Sequence, residues 1–553
     1  MKISRGLVKI FRPALEVRSI LMLVSSFSAV ELLVQKLKKL SFFDLFRSGN
    51  LPKISSLMPK KVFLSIDLGA GSGRVIAAKT DFTKIYLEEV HRFGNPAIEI
   101  PGGCYWNILG LYRDILEGLR KAATTYGERI CSIGIDTWGC DFALLDKDGH
   151  LLEIPHQYRD SRFEGMAAAM HERMPEREIY QHTGLRTNFY NSSLHLLAES
   201  LRESPALAHA HRLLFIPDLL AYWLTGVMAN ERTVASTSQL FDPTIDDWAW
   251  PVIDAIGLPR RIFGEVVAPG TVLGPLLPEV AESIGMASVP VIASASHDTA
   301  SAVAGIPMKD DDNLWLSSGT WSIMGLENPV AIINDVAFES GFCNELGHSG
   351  NVRFLKNIAG LWLIQECKRY WAMHGEDLDY AALAELALES PEFSAFIDPD
   401  YPDFATAGDM PEKIQRYCEI TGQEVPNTKG KILRVATDSI ALKYRVTYDK
   451  IVSLAGKSFV RLHSGGGGIQ NRHLSQATAN ALGIEVVAGP IEATSCGNIA
   501  LQMTATNHLK TIAEARELIK SSFDFTTYLP ESQEKWQKAY QTFLSIIDTK
   551  QEK

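Results

Sequence analysis

Val62-Phe-Leu-Ser-Ile-Asp-Leu-Gly-Ala-Gly-Ser-Gly-Arg-Val-Ile-Ala-Ala-Lys79 is the stretch on which the fold turns. Residues 62–67 form a short apolar run of strand type, and residues 74–79 form another. Residues 68–73 between them read as a tight turn, which puts Gly69, Gly71 and Gly73 in a hairpin. That placement excludes two common nucleotide motifs. A P-loop needs GxxxxGK[ST] opening a helix, and a dinucleotide fingerprint also needs a following helix.

Working outward, residues 85–93 are a third extended stretch. Ile108, Leu111, Ile115 and Leu119 recur at helical spacing and predict a helix over Ile108–Tyr126. Residues 131–136 read as a strand. Residues 142–146 and 151–154, joined by Lys147-Asp-Gly-His150, are expected to form a hairpin. Three strands, a helix and a strand make the start of a ribonuclease-H-like unit. The pattern resumes after Gly285. Residues 289–296 are a buried strand that runs into His297-Asp298-Thr299 and a helix of small residues. Residues 313–325 are two strands around Ser317-Ser-Gly-Thr320, with the same strand–turn–strand logic as residues 62–79. Residues 459–463 are a strand that enters Ser464-Gly-Gly-Gly-Gly-Ile-Gln-Asn471 and then a helix. The repeat predicts an α/β fold with two related domains around a cleft, over residues 61–305 and 306–525. A basic extension precedes them (1–60) and a helical tail follows (526–553).

The chain has 553 residues, more than one domain's worth, and 46% of them are apolar and 22% charged. These values are ordinary for a globular protein and argue against extensive disorder. Net charge is −11, which disfavours general nucleic-acid binding. The charge is uneven. Residues 1–60 hold eleven Lys/Arg against three Asp/Glu, and the rest is strongly acidic. The apolar run at residues 20–30 is too short to span a bilayer. The extension therefore reads first as dispensable, with Met58 as an alternative start, second as a basic amphipathic arm, and third as a secretion signal. The seven cysteines contain no CxxC pair, so neither a zinc site nor a disulfide framework is expected from them.

A glycine turn between strands offers backbone N–H groups to an anion without side-chain obstruction. Asp67, ending the preceding strand, adds a carboxylate suited to a hydrated Mg²⁺ beside nucleotide phosphates. Ser317–Thr320 is a second such turn. Residues 464–471 are a third, and it enters a helix, whose N-terminus favours anions. Any one of them is more simply a hairpin; three on two repeated units are specific. Asp67–Arg74, Ser317–Thr320 and Gly465–Asn471 match in order the phosphate and adenosine motifs of the actin-like ATPase superfamily, and resemble the FGGY-type carbohydrate kinases within it. Further strings carry the resemblance. They are His91-Arg-Phe93, Ser132-Ile-Gly-Ile-Asp-Thr-Trp-Gly139, Tyr158-Arg-Asp-Ser-Arg162, Ala295-Ser-His-Asp-Thr-Ala-Ser-Ala302, Lys356-Asn-Ile-Ala-Gly-Leu-Trp-Leu-Ile-Gln365 and Ala488-Gly-Pro-Ile-Glu-Ala493. The match spans about residues 62–510. Gly71 departs from it, standing where many relatives carry Ser.

The resemblance implies ATP-dependent phosphorylation of L-rhamnulose to L-rhamnulose 1-phosphate. The alternatives are another ketose, fuculose or xylulose, and a non-catalytic actin-like ATPase. Carried over residue by residue, it makes Asp298 the general base. Gly139, His297, Thr299 and Asn357 become sugar contacts. Ala70, Gly71, Ser72, Gly73, Arg74, Thr320, Gln365, Gly466, Gly467, Gly468 and Asn471 become ATP contacts, and Asp67 acts on Mg²⁺ through water. The chemistry agrees, because a sugar hydroxyl needs a carboxylate in reach to take its proton, and the remaining work is positioning and charge neutralisation. The plainer reading of Asp298 is a helix N-cap. Asp136 and Asp141 read as turn support, Trp138 as a sugar-pocket wall or core, and Arg159 and Arg162 as loop anchors or partners of Asp160. A cytoplasmic monomer or homodimer without membrane or nucleic-acid partners is expected.

Overall fold

β1 (Lys61–Leu68) and β2 (Ser72–Thr80) pair antiparallel around the glycine turn, and β3 (Ile85–Gly94) continues the meander. The computed structural model describes residues 60–309 and 313–548; the readings made for the first sixty residues lie almost wholly outside them. α1 (Ile108–Tyr126) starts where Asn107 accepts the Gly110 N–H. It buries Ile108, Leu111, Ile115 and Leu119 against one face of the sheet, together with Val62, Leu64 and Ile66 of β1. Gly118 is needed there, because a Cβ would lie 2.4 Å from Val75. β4 (Ile130–Thr137) then pairs parallel to β1.

β5 (Phe142–Leu145) makes the expected turn: the Asp146 N–H donates to the His150 carbonyl and the Leu152 N–H to the Leu144 carbonyl, both at 2.9 Å, and Leu145 bridges Leu151. The second arm is shorter than expected, and β5 forms its longer ladder with β6 (Arg212–Phe215), which the sequence did not indicate. β7 (Thr271–Pro275) and β8 (Pro290–Ala293) complete a sheet of order β7-β8-β4-β1-β2-β3. α2 (Asp298–Gly305) leaves the end of β8.

The second lobe repeats this plan. β9 (Leu314–Ser318) and β10 (Trp321–Asn328) pair antiparallel around the second turn, followed by β11 (Cys343–Leu346) and β12 (Val352–Ala359). The helices that follow include α3 (Trp362–Met373), α4 (Tyr380–Leu388) and the long α5 (Lys429–Ala455). β13 (Arg461–Gly465), α6 (Arg472–Leu482) and β14 (Glu485–Ala488) come next. With β15 (Thr526–Tyr528) the order is β11-β12-β10-β9-β13-β14-β15, a meander plus two parallel additions like the first sheet. β11 is an extra edge strand that the first sheet lacks. α9 (Gln533–Asp548) packs Trp536 and Phe543 into this lobe's core.

The lobes are not sequential in space. α7 (Ala493–Ala505) and α8 (Ile512–Ser522) return to the free face of the first sheet. Cys496, Ile499, Met503, Leu518 and Ile519 cover Phe63, Ala78 and Ile85 there. Gln502 donates to the Leu64 carbonyl at 2.9 Å and accepts from Ser132 at 2.7 Å. α7 crosses α2 in near backbone contact. A Cβ on Gly497 would lie 1.7 Å from the Ser301 carbonyl oxygen, and one on Gly305 would lie 2.1 Å from that of Ala493. Gly497→Ala is therefore expected to destabilise the protein by about 1–3 kcal/mol through overpacking. A urea midpoint equal to that of the parent would refute this.

Candidate active site

The ends of β1, β4 and β8 lie side by side and carry three aspartates. Register places Asp67 between Arg74 on β2 and Asp136 on β4. Beyond β4, the Thr137 N–H donates to the Ser296 carbonyl at 2.9 Å, which sets Asp298 next in the row. Arg74 contacts Asp67 at 2.5 Å and reaches Glu492, just before α7, at 2.8 Å. Asp136 is fully buried. Its Oδ2 accepts from Asn498 at 2.5 Å, while its Oδ1 has no hydrogen-bond partner. Burial, then the charge of Asp67, push its carboxyl well above the ordinary range. Asp67, Asp136 and Asp298 thus stand in a row of carboxylates, with Arg74 beside Asp67 and His297 beside Asp298; carboxylate oxygen is the ligand type a hard dication such as Mg²⁺ takes.

Asp298 is the first residue of α2, and His297 holds the N-cap position, so the simple N-cap reading fails. Its Oδ1 accepts the Thr299 N–H at 2.5 Å and the Thr299 hydroxyl at 3.1 Å. About a third of the side chain (35%) remains open to solvent. Burial raises its pKa above the ordinary 3.8, Asp67 adds to that, and His297 opposes it. His297 Nε2 lies 3.4 Å from Asp298, and Nδ1 lies 3.1 Å from the guanidinium of fully buried Arg353. The same Nδ1 lies 3.3 Å from the Glu345 carboxylate, so it can accept from Arg353 or donate to Glu345. Arg353 is held in turn by Glu345 at 2.9 Å and the Leu346 carbonyl at 3.1 Å. From below, Glu231 accepts the Ser296 N–H at 3.0 Å, and the Thr233 hydroxyl accepts that of His297 at 3.2 Å.

Asn357 reaches across from β12 and donates to the Tyr190 hydroxyl at 3.1 Å. Tyr190 ends the segment Thr187-Asn-Phe-Tyr, whose Phe189 is exposed. Gly139 packs against Thr237, with room for no side chain: a Cβ would lie 2.9 Å from its hydroxyl. Trp138 is core. It is buried against Trp106 with ring centroids 4.2 Å apart, and both indoles donate to Asp141 Oδ2, at 2.9 and 2.6 Å. Arg159 covers the Tyr158 ring, and Arg162 pairs with Glu199 at 2.8 Å.

The second lobe holds a cavity of about 590 Å³. Thr320, Gln365, Gly467, Gly468 and Asn471 all line it. Gly466 does not. It sits behind the wall at φ 91°, where a Cβ would lie 2.8 Å from the Ser318 carbonyl oxygen. Gly468 lies as close to Ser318, so the third glycine turn folds directly onto the second. α3 begins on that second turn, with the Leu361 and Trp362 N–H groups donating to the Gly319 and Thr320 carbonyls. Asn471 caps α6 through the Leu474 N–H at 3.0 Å. Across the first lobe's turn, Ala70 and Gly71 are exposed, and Asn95 pins the turn by donating to the Gly69 carbonyl at 3.0 Å. Gly73 is obligatory, since a Cβ would strike the Phe93 ring at 2.4 Å.

Several wall residues escaped the sequence reading. Tyr380, Ala384 and Ala387 line the cavity from α4. Their four- and three-residue spacing is a small-residue helix face, a signal present in the sequence but unspecific. His473 also lines it, and its Nε2 has no hydrogen-bond partner. Burial, helped by Arg434, pushes this ring down to about 4, so it is neutral. Glu345, Arg353 and Tyr190 carry no motif at all.

Two lobes of ribonuclease-H topology, each with a glycine turn between its first two strands, define a protein of the actin-like ATPase fold. Residues 62–305 match the N-terminal domain of the FGGY family of carbohydrate kinases, and residues 314–506 match its C-terminal domain. The chain belongs to that family. It is 41% identical over 488 residues to a rhamnulokinase of Bacteroides thetaiotaomicron, covering 88% of this chain and 100% of that one. It is 40% identical over 472 residues to a rhamnulokinase of Enterococcus faecalis, covering 85% and 94%. A crystal structure of ligand-bound xylulose kinase from Lactobacillus acidophilus superposes with a TM-score of 0.74 at 15% identity, covering 88% of this chain and 98% of that one. Plasmodium falciparum glycerol kinase with ADP gives 0.73 at 15% identity, covering 89% and 98%. Among the described residues no helix is long and apolar enough to cross a membrane.

Proposed function

We propose that this chain transfers the γ-phosphoryl group of ATP to the terminal hydroxyl of L-rhamnulose, giving L-rhamnulose 1-phosphate and ADP. The observation that carries this reading is end-to-end similarity to curated rhamnulokinases, 41% identical over the whole length of one of them. In this mechanism the hydroxyl proton passes to the Asp298 carboxylate as the sugar oxygen attacks the γ-phosphorus, and the bond to the β-phosphate oxygen breaks. His297 positions Asp298, while Gly139, Thr299 and Asn357 hold the sugar. Ala70–Arg74 and Thr320 meet the phosphates. Gln365, Gly467, Gly468 and Asn471 hold the rest of the nucleotide, with Gly466 shaping the turn behind them, and the base lies between α4 and α6 with the neutral His473 ring at its edge. Asp67 would hold a hydrated Mg²⁺, which would neutralise phosphate charge. The reaction is assigned to the cytoplasm in this reading.

Purified protein with Mg-ATP and a panel of ketoses, followed by ADP release, tests the reading. Turnover is expected to be fastest with L-rhamnulose. Comparable turnover with xylulose or fuculose would remove the sugar assignment, and no sugar-stimulated turnover would remove the kinase. The raised pKa of Asp298 has a further consequence. A base must be deprotonated to act, so kcat/KM should fall on the acid side at a pH above the ordinary 3.8. The residual activity of Asp298→Asn should lack that limb. A limb that persists in the variant would assign it to another group.

A further inference from the structure

Beneath the sugar-side segment the first lobe holds a second group of ionisable side chains, unused by phosphoryl transfer. Glu153, His156 and Glu199 each offer a ligand atom, and these atoms lie within 4.8 Å of one another. With Asp141 and His195 they line a cavity of about 20 Å³, room for a single ion or water. His156 is oriented from behind, with Nδ1 3.0 Å from Asp160, which leaves Nε2 as its free nitrogen. A carboxylate behind an imidazole is the usual second layer of a metal site. Asp160 is itself fixed by the N–H groups of Cys104 at 2.8 Å and Arg162 at 2.9 Å.

Asp141 lines the same cavity, with its Oδ1 3.8 Å from His195 Nδ1. It is 1% exposed, its Oδ2 is taken by two indoles, and its Oδ1 has no hydrogen-bond partner. Glu199, 5% exposed, has one oxygen on Arg162 at 2.8 Å. Asp160 and Glu199 both contact the guanidinium of Arg162, at 3.5 and 2.8 Å, and half-buried Glu153 stands close to Glu199. Carboxylates brought this close are stabilised by a cation among them.

We infer that Glu153, His156 and Glu199 bind one divalent transition-metal ion of the Zn²⁺ class, with the Asp141 carboxylate beside it. One imidazole among carboxylates favours such an ion over Mg²⁺. The ion has a structural role. It joins the chain after β5 to the helix Ser192–Leu201, on which His195 donates from Nε2 to the Phe189 carbonyl at 3.2 Å, one residue before Tyr190. It thereby steadies the segment that meets Asn357.

The test uses the full chain, stripped with EDTA, passed into chelator-free buffer and titrated calorimetrically with ZnCl₂ in the absence of nucleotide. One equivalent is expected to bind, and Glu153→Gln is expected to weaken binding at least tenfold with an unchanged far-UV circular dichroism spectrum. His156→Ala serves as the second variant, with the same expectation. Asp146, Asp148 and His150 form an exposed cluster that could mimic the signal. The double variant Asp146→Asn, His150→Ala should bind Zn²⁺ as the parent does. No stoichiometric binding by the parent would overturn the assignment. So would parent-like affinity in both site variants, or loss of binding in the exposed-cluster variant.

Discussion

Asp298→Asn is expected to lower kcat for sugar phosphorylation by roughly two to four orders of magnitude, the range general-base catalysis contributes. The substitution preserves shape, and an amide oxygen can still accept the Thr299 N–H, so α2 keeps its start. On the proposed function the nucleotide occupies the other lobe's cavity, which Asp298 does not line. Nucleotide affinity, measured by calorimetry, should therefore stay within about twofold, and the whole loss should appear in turnover. A variant that retained more than a tenth of the parent's kcat would show that another group takes the proton. Asp136, with its orphaned oxygen in the same row, would be the next candidate.

Ala384→Trp is expected to raise the KM for ATP by about tenfold or more, at least ~1.4 kcal/mol of lost binding. Ala384 lies on α4, half-buried, and its methyl forms part of the cavity wall. An indole there fills space in the cavity that Gly468 and Asn471 also line, next to Leu383 and Ala387 of the same wall. Sugar affinity and kcat at saturating ATP should change little, because the strand-end carboxylates lie in the other lobe. Unchanged ATP affinity would mean that the nucleotide does not enter this cavity. The two variants together separate the lobes: one loses chemistry and keeps nucleotide, the other the reverse.

The first sheet was largely legible because its signals are local. Apolar runs bounded by Gly69–Gly73 mark β1 and β2, and helical spacing gives α1 the same ends in sequence and structure. The glycine turns and the string around Asp298 were legible for the same reason: a turn that must expose backbone tolerates few residues. What failed depends on long-range pairing. Residues 147–150 turn as their chemistry predicts, but the longer ladder of β5 is with a partner some seventy positions away, which no local signal marks. Trp138 was ambiguous because an aromatic beside a glycine suits a pocket or a core, and only the shared carboxylate of Asp141 decides for the core. Glu345 and Arg353 hold His297 from a β-hairpin of the second lobe, and no periodicity marks a buried ion pair. The α4 wall is a run of alanine and leucine that many helices contain.

The return of α7 and α8 to the first sheet has a consequence for how the protein is made. A ribosome releases β1, β2 and β3 long before it synthesises the helices that cover Phe63, Ala78 and Ile85. Until then the nascent first lobe carries an uncovered apolar face, so it cannot mature as an independent unit while the second lobe is still being translated. Chain completion, and not completion of the N-terminal half, is the event that closes the first core, and truncated translation products are the species from which chaperones and proteases have most to clear.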